Sequence, residues 1–342
     1  MKPRSMLALL ALPAAFACTD PSLTANHAAP TNAEVFDAFW NEFDLRYSFF
    51  EVKGVNWDSM RVVHRPRAIA AENDAALARV LGTMIAALQD RHVMLTTAGT
   101  SAMTFLSKID SVLPRNPFDA QMIDRKYLQA KRVTTGGHIQ FGFVTPTIGY
   151  LRIPAFDGGG WSGEVDEALA SLAGAQSMIV DVRGNRGGSH TTAIEAAGRF
   201  ASSPVLYSYT KIRNGPTHSD FTPLSPQVLN PAGPAQFRGP VVVLTNRIVY
   251  SSAEDFVLAM RALPTVTTMG DSTGGASGRP MTRELPNGWT YSLSTWVEYT
   301  RDRRVFENIG LAPDVYVPTS WSELQRAVDA VMDRAIATVK KP

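Results

Sequence analysis

Apolar residues in this chain first recur at helical spacing. Thr31-Asn-Ala-Glu34 has the form of a capping box, and Val35, Phe36, Phe39, Trp40 and Phe43 follow on one face. A second helix is expected from Trp57-Asp58. A third begins at Asn73-Asp74, with Leu77, Val80, Leu81, Met84, Ile85 and Leu88 in register. Residues 31–90 are therefore expected to form a small N-terminal helical subdomain whose aromatic stripe is core rather than a ligand box. After Leu88 the spacing changes: Asp90-Arg-His-Val-Met-Leu-Thr96 reads as extended, and Pro114 and Pro117 break the irregular stretch that follows.

From His138 a strand–helix alternation takes over. Strands are predicted at 138–144, 148–153, 178–182, 205–212, 241–245, 266–269 and 289–299, with helices at 164–172 and 189–201. Another helix follows Ser251, and Ser320-Trp-Ser-Glu323 caps a closing helix that runs through Val339. Such alternation predicts an α/β core domain over 91–342, a sheet covered by helices, with no internal repeat.

One strand-to-helix junction has chemical interest. Val241-Val-Val-Leu-Thr245 is an apolar β-branched run, and Ser251-Ser-Ala-Glu254 precedes Phe256, Val257, Leu258 and Met260. A serine there stands among free backbone N–H groups at the positive end of a helix, good ground for a nucleophile. The same four residues also spell a capping box, which would make Ser251 a structural N-cap. Asp181-Val-Arg-Gly-Asn-Arg-Gly-Gly188 ends another buried strand ahead of a helix, so both turns can face one crevice. Gly187 and Gly188 would let backbone N–H groups approach a ligand, while Asp181 and Arg183 would pin the loop. It lacks the Gly-Lys-Ser/Thr ending of a phosphate loop.

Composition and charge remove several classes. The 342 residues are 45% hydrophobic and 19% charged, as in ordinary globular chains, and a net charge of +2 without a dense basic patch predicts no nucleic-acid partner. Of the histidines, His92 opens an extended run beside Asp90, which would lie on the same face and could orient it. His190, directly after the glycine loop, competes as a base. No His-Glu-x-x-His spacing is present, so neither a metal nor a cofactor is expected. Residues 1–18 read as a signal peptide: Lys2 and Arg4, an apolar run from Met6 to Leu12, then Ala15-Phe16-Ala17 before Cys18. Cys18 is the sole cysteine, which rules out an internal disulfide. Its position resembles a lipobox, predicting a lipid anchor in the cell envelope, with 19–30 as a tether.

Five motifs then occur in order: Leu88-Gln-Asp-Arg-His92, Ile148-Gly-Tyr-Leu-Arg-Ile153, Asp181–Gly188, Ser251-Ser-Ala-Glu254 and Glu307-Asn-Ile-Gly-Leu-Ala-Pro-Asp314. The chain resembles the tail-specific (C-terminal processing) and tricorn-core serine peptidases from about Phe36 to Val317. The resemblance implies a Clp-protease/crotonase-like α/β core, a Ser251 nucleophile and an oxyanion hole from Ser252 and the Gly187-Gly188 turn. Tail-specific members pair the serine with a lysine, but Ala276 stands where that lysine would fall. The tricorn-like version, with His92 as base and Glu307 behind it, fits better. That version relays through a serine beside the histidine, where this chain has Arg91; Asp90 or a water would substitute. The interval from Val93 to Thr147 is too short for the PDZ domain of many relatives. The implied activity is hydrolysis of protein or peptide substrates. The alternative is a non-catalytic peptide- or apolar-ligand-binding module on the same fold.

Overall fold

The structure, a computed structural model, describes residues 29–108 and 117–340. The segment expected to be a signal peptide, Cys18 and the expected tether up to residue 28 lie outside the described residues. Thr31 does cap α1 (Asn32–Arg46) with a complete capping box, and Asn73 caps α4 (Asp74–Ala86). Between them lie α2 (Phe50–Lys53) and α3 (Trp57–Ile69). Phe36, Phe39, Phe43 and Trp57 are fully buried, as the stripe predicted for core requires. The core they build is shared with the carboxy-terminal half of the chain. Leu285, Trp289, Tyr291 and Leu293 belong to the same cluster, and Tyr291 packs on Phe39 and Phe43 at 5.6 Å.

The central sheet has seven strands in the order β14-β10-β9-β6-β5-β4-β3. In chain order these are β3 (Arg132–Val133), β4 (Gln140–Thr145), β5 (Ile148–Arg152), β6 (Ser177–Asp181), β9 (Val241–Thr245), β10 (Val266–Gly270) and β14 (Val315–Tyr316). From β5 to β14 the pairs are parallel, and β6 and β9, covered on both faces, are buried at every residue. The crossover helices are α6 (Gly163–Ser171), α7 (His190–Gly198) and α8 (Ser252–Arg261), while α5 (Ala120–Lys126) precedes the sheet. A four-stranded sheet joins β1 (Met94–Thr96), β2 (Thr104–Leu106), β11 (Pro280–Glu284) and β12 (Thr290–Ser294). A three-stranded one joins β7 (Val205–Ile212), β8 (Ser225–Leu229) and β13 (Trp296–Thr300).

Two predicted elements divide. The strand expected over 289–299 breaks at Thr295 into β12 and β13, which enter different sheets. Ser48 holds the corner by donating from N to the Ser294 carbonyl and from Oγ to the Trp296 carbonyl. The closing helix splits into α9 (Trp321–Gln325) and α10 (Ala330–Val339). Asp329 causes the second start: it accepts from Met332 N, and its carboxylate also binds buried Arg183 at 2.8 Å. Arg183 is held on its other side by Asp181, the loop pin read from the sequence.

Candidate active site

The turn from β9 into α8 runs through Asn246, whose Oδ1 accepts from Gly184 N and Ile248 N and so ties this loop to the one after β6. Ser251 then adopts φ 59° and ψ −140°, a conformation that L-residues rarely occupy. Its N–H donates to Ala276 O at 2.9 Å and its carbonyl accepts from Glu254 N at 2.7 Å. Ser251 makes no side-chain capping bond, so the capping-box reading is corrected here. Glu254 is turned away, to accept from Thr273 Oγ1, Gly275 N and Ala276 N. Burial pushes the Glu254 carboxyl up to about 7, and those three bonds oppose the rise. The strained turn thus leaves the Ser251 hydroxyl unbonded to its own helix.

His92 stands on the far side of that turn. Its Nδ1 lies 2.9 Å from the Ser277 carbonyl. A carbonyl can only accept, so Nδ1 carries the proton and neutral His92 keeps a lone pair on Nε2. Ser277 is in turn held by Glu307, whose Oε2 accepts from Ser277 N at 2.8 Å and Oγ at 3.2 Å. The other oxygen of Glu307 accepts from Lys53 Nζ at 2.9 Å, and both side chains are buried. Burial and neighbouring Asp90 push the Glu307 carboxyl up, while Lys53 and the Ser277 donors pull it back.

Asp90 does not do what its position in the sequence suggested. Its Oδ1 accepts from the backbone N of His92 at 2.8 Å, and Oδ2 accepts from Tyr47 Oη and Ser294 Oγ. It fixes the turn that presents His92, but the ring itself is oriented by Ser277. Arg91, standing where a relay serine was sought, donates to Gly274 O and lies over the Tyr250 ring.

The glycine pair also divides its work. Gly187 N donates to Asn185 Oδ1 at 2.8 Å, so it is not a free oxyanion donor, contrary to expectation. Gly187 is required instead for contact: a Cβ there would stand 2.7 Å from Ser251 Cβ and 3.0 Å from Ser252 N. At the Phe156–Gly188 bridge, Phe156 N donates to Gly187 O and Ser189 N to Phe156 O. That pattern leaves Gly188 N pointing away from the bridge, and Ser252 N, first in its helix, has no intrahelical acceptor. His92, Gly188, Ser251, Ser252 and Ser277 all line one cleft of about 360 Å³. No hydrogen bond joins Ser251 Oγ to His92 in this conformation.

His190 lines the same cleft, but its Nδ1 lies 2.8 Å from Asp255 Oδ2. Glu307 therefore sits behind the His92 loop, not in contact with the ring. Ser277 and Lys53 were missed. The sequence marks Ala276 only as the place of an absent lysine, whereas its neighbour Ser277 acts through its backbone carbonyl. Nothing in the local pattern around Lys53 marks it. Among the described residues no cluster of His, Cys, Asp or Glu is placed to hold a metal ion. No helix among them is long and apolar enough to cross a membrane.

The pattern of Peptidase family S41 matches residues 147–317, and that of the Tricorn protease C1 domain matches residues 29–86. A solved candidate peptidase from Parabacteroides merdae superposes with a TM-score of 0.80 at 30% identity, covering 91% of this chain and 97% of its own. The nisin-resistance protein of Lactococcus lactis is 24% identical over 146 residues, 40% of this chain and 45% of that protein. The carboxy-terminal processing protease CtpA of Bacillus subtilis is 27% identical over 154 residues, 44% of this chain and 31% of that protein. The matched stretch thus spans less than half the length of these two curated relatives.

Proposed function

Because this chain belongs to peptidase family S41, we propose that it is a serine peptidase in which Ser251 is the nucleophile and His92 the base. The supporting observation is the convergence on one cleft of a serine strained off its helix and a histidine with a fixed tautomer. His92 Nε2 takes the Ser251 proton as Oγ attacks the peptide carbonyl. Gly188 N and Ser252 N receive the oxyanion. The imidazolium, its Nδ1–H held by the Ser277 carbonyl, protonates the leaving amine, and water then hydrolyses the acyl-enzyme. Glu307 acts through Ser277, and Asp90 through the His92 backbone, so both are positioning residues.

The substrate class is protein or peptide chains, and the name of the Bacillus relative makes sites near carboxy termini the first to test. Residues 1–18 support export with a lipid on Cys18, facing the periplasm or exterior. A fluorophosphonate probe should label the mature protein, and Ser251→Ala should abolish labelling with the fold intact. Labelling that persists or moves to Ser252 overturns the assignment. An unlabelled wild type favours the binding-module alternative.

A further inference from the structure

Helix α3 is docked by one face only. Trp57, His64 and Ala68 are buried, and Trp57 Nε1 and Trp40 Nε1 donate to each other's carbonyls across the contact with α1. The opposite face carries Val62, Val63, Pro66, Ile69 and Ala70, all exposed and recurring at helical spacing. Val62 is 76% exposed, more than any other large apolar side chain among the described residues, and Val63 and Ile69 are 48% and 47% exposed. A helix needs one apolar stripe to join its own protein, and α3 has two. A second stripe, on a helix held this firmly, marks a contact outside the chain.

The stripe's borders and its place in the chain both point to a lipid surface. Arg61 and Arg65 flank it on one side, where each pairs with Asp37, and exposed Arg67 flanks it on the other. Asp58, at the amino-terminal end, is the only acid on the helix. An aliphatic face between arginines suits a helix lying in a bilayer interface, where long basic side chains reach lipid phosphates. Pro66 cannot donate to the Val62 carbonyl, an acceptor that a dry protein interface would strand and a hydrated headgroup layer would not. The far end of α3 also lies beside the start of the described chain, because Asn32 Nδ2 donates to the Ala71 carbonyl at 2.9 Å. Fourteen positions separate Asn32 from Cys18, and a chain of that length spans at most about 50 Å. A lipid on Cys18 therefore keeps this end of the protein near the bilayer, at high effective concentration for the stripe.

We propose that the outer face of α3 lies against the lipid bilayer that carries the anchor, with Val62, Val63 and Ile69 among the acyl chains. The lipid retains the protein at the membrane, and α3 fixes how the folded domain sits on it. This rests on the reading of Cys18 as lipidated.

The test places a nitrobenzoxadiazole probe on Val62→Cys in the lipidated protein. Cys18 is the sole natural cysteine and, once a thioether, takes no thiol reagent, so only the introduced cysteine is labelled. Val228→Cys and Tyr316→Cys, exposed on two of the sheets, serve as controls. The vesicles contain phosphatidylethanolamine, phosphatidylglycerol and a doxyl-labelled phosphatidylcholine that quenches the probe on contact. The probe at position 62 should shift to the blue and be quenched, and those at 228 and 316 should do neither. With the probe moved to Val63→Cys, adding Val62→Asp, an exposed change that leaves the inner face of α3 docked, should abolish both effects. An unshifted probe at position 62, equal quenching at all three positions, or effects that survive Val62→Asp overturn the proposal. A blue shift without quenching assigns the stripe to a second copy of the chain and also overturns it. Label taken up by the wild type shows a free Cys18 thiol, which removes the lipid anchor and this proposal together.

Discussion

Lys53→Met is the perturbation whose magnitude the structure sets best. Lys53 Nζ is the cation held against Glu307, with side-chain exposures of 5% and 0%. Removing one member of a buried pair typically costs about 3–5 kcal/mol, because the partner stays behind uncompensated. Glu307 has an escape, which is to bind a proton. Its ordinary value is 4.5, so holding it protonated at pH 7 spans 2.5 units. At about 1.36 kcal/mol per unit that is roughly 3.4 kcal/mol, and at pH 5 only about 0.7 kcal/mol. Protonation therefore caps the loss. Burial and Asp90 already push the wild-type carboxyl up to about 8 against the pull of Lys53, so at pH 7 wild type carries nearly all of this penalty. The difference between the two proteins there is the lost Lys53 contact, about 1 kcal/mol, and a protonation difference opens only at higher pH. The sign is that of a raised carboxylate: the penalty is absent below pH 4.5 and grows as pH rises. Thermal melts should show Lys53→Met lowered by roughly 2–3 °C at pH 7 and by more above about pH 8, where wild-type Glu307 ionises beside Lys53 and the variant's carboxyl resists doing so. Acylation of the folded variant should slow in that same range, since neutral Glu307 holds Ser277, and through it His92, less firmly. A variant that melts with the wild type both at pH 7 and above pH 8 would refute this account of the pair.

Single-turnover acylation by an activated ester should rise through neutral pH as His92 loses its proton; His92→Ala should lower it by several orders of magnitude. Loss in His190→Ala but not in His92→Ala would move the base. Ser277→Ala keeps the carbonyl that orients His92 and loses only the 3.2 Å hydroxyl bond to Glu307, so it should cost about 1 kcal/mol, roughly fivefold in rate. Gly187→Ala should abolish probe labelling with Ser251 and His92 both present, because its Cβ would press on Ser251 Cβ at 2.7 Å. Glu254 should make stability fall as pH rises from about 4.5 to 7, because its carboxyl ionises freely in the unfolded chain but stays protonated when buried; a Glu254→Gln variant whose pH profile matches the wild type would contradict the raised value. Intact mass should show a diacylglyceryl Cys18 at the amino terminus, and an unmodified one would reject anchoring.

What the sequence determined by itself is whatever neighbouring residues decide among themselves. Thr31 and Glu34 meet within one helical turn, and the apolar runs of β6 and β9 suit no surface position, so those elements could be read directly. The order of the five motifs also carried the family, the nucleophile candidate and Glu307. The tertiary structure decided how these parts touch. Lys53 reaches Glu307 across 254 positions of chain, and His92 reaches Ser277 across 185. No periodicity encodes such pairs. Ser277 was invisible for a second reason, since it holds His92 through a carbonyl that every residue possesses. The same holds for Gly187, whose N–H looks available until Asn185 is folded against it, and for Ser251, a cap by its spacing. The packing of Gly187 and Ala276 around Ser251 holds its backbone where its hydroxyl cannot reach its own helix, and so turns a common helix start into a site.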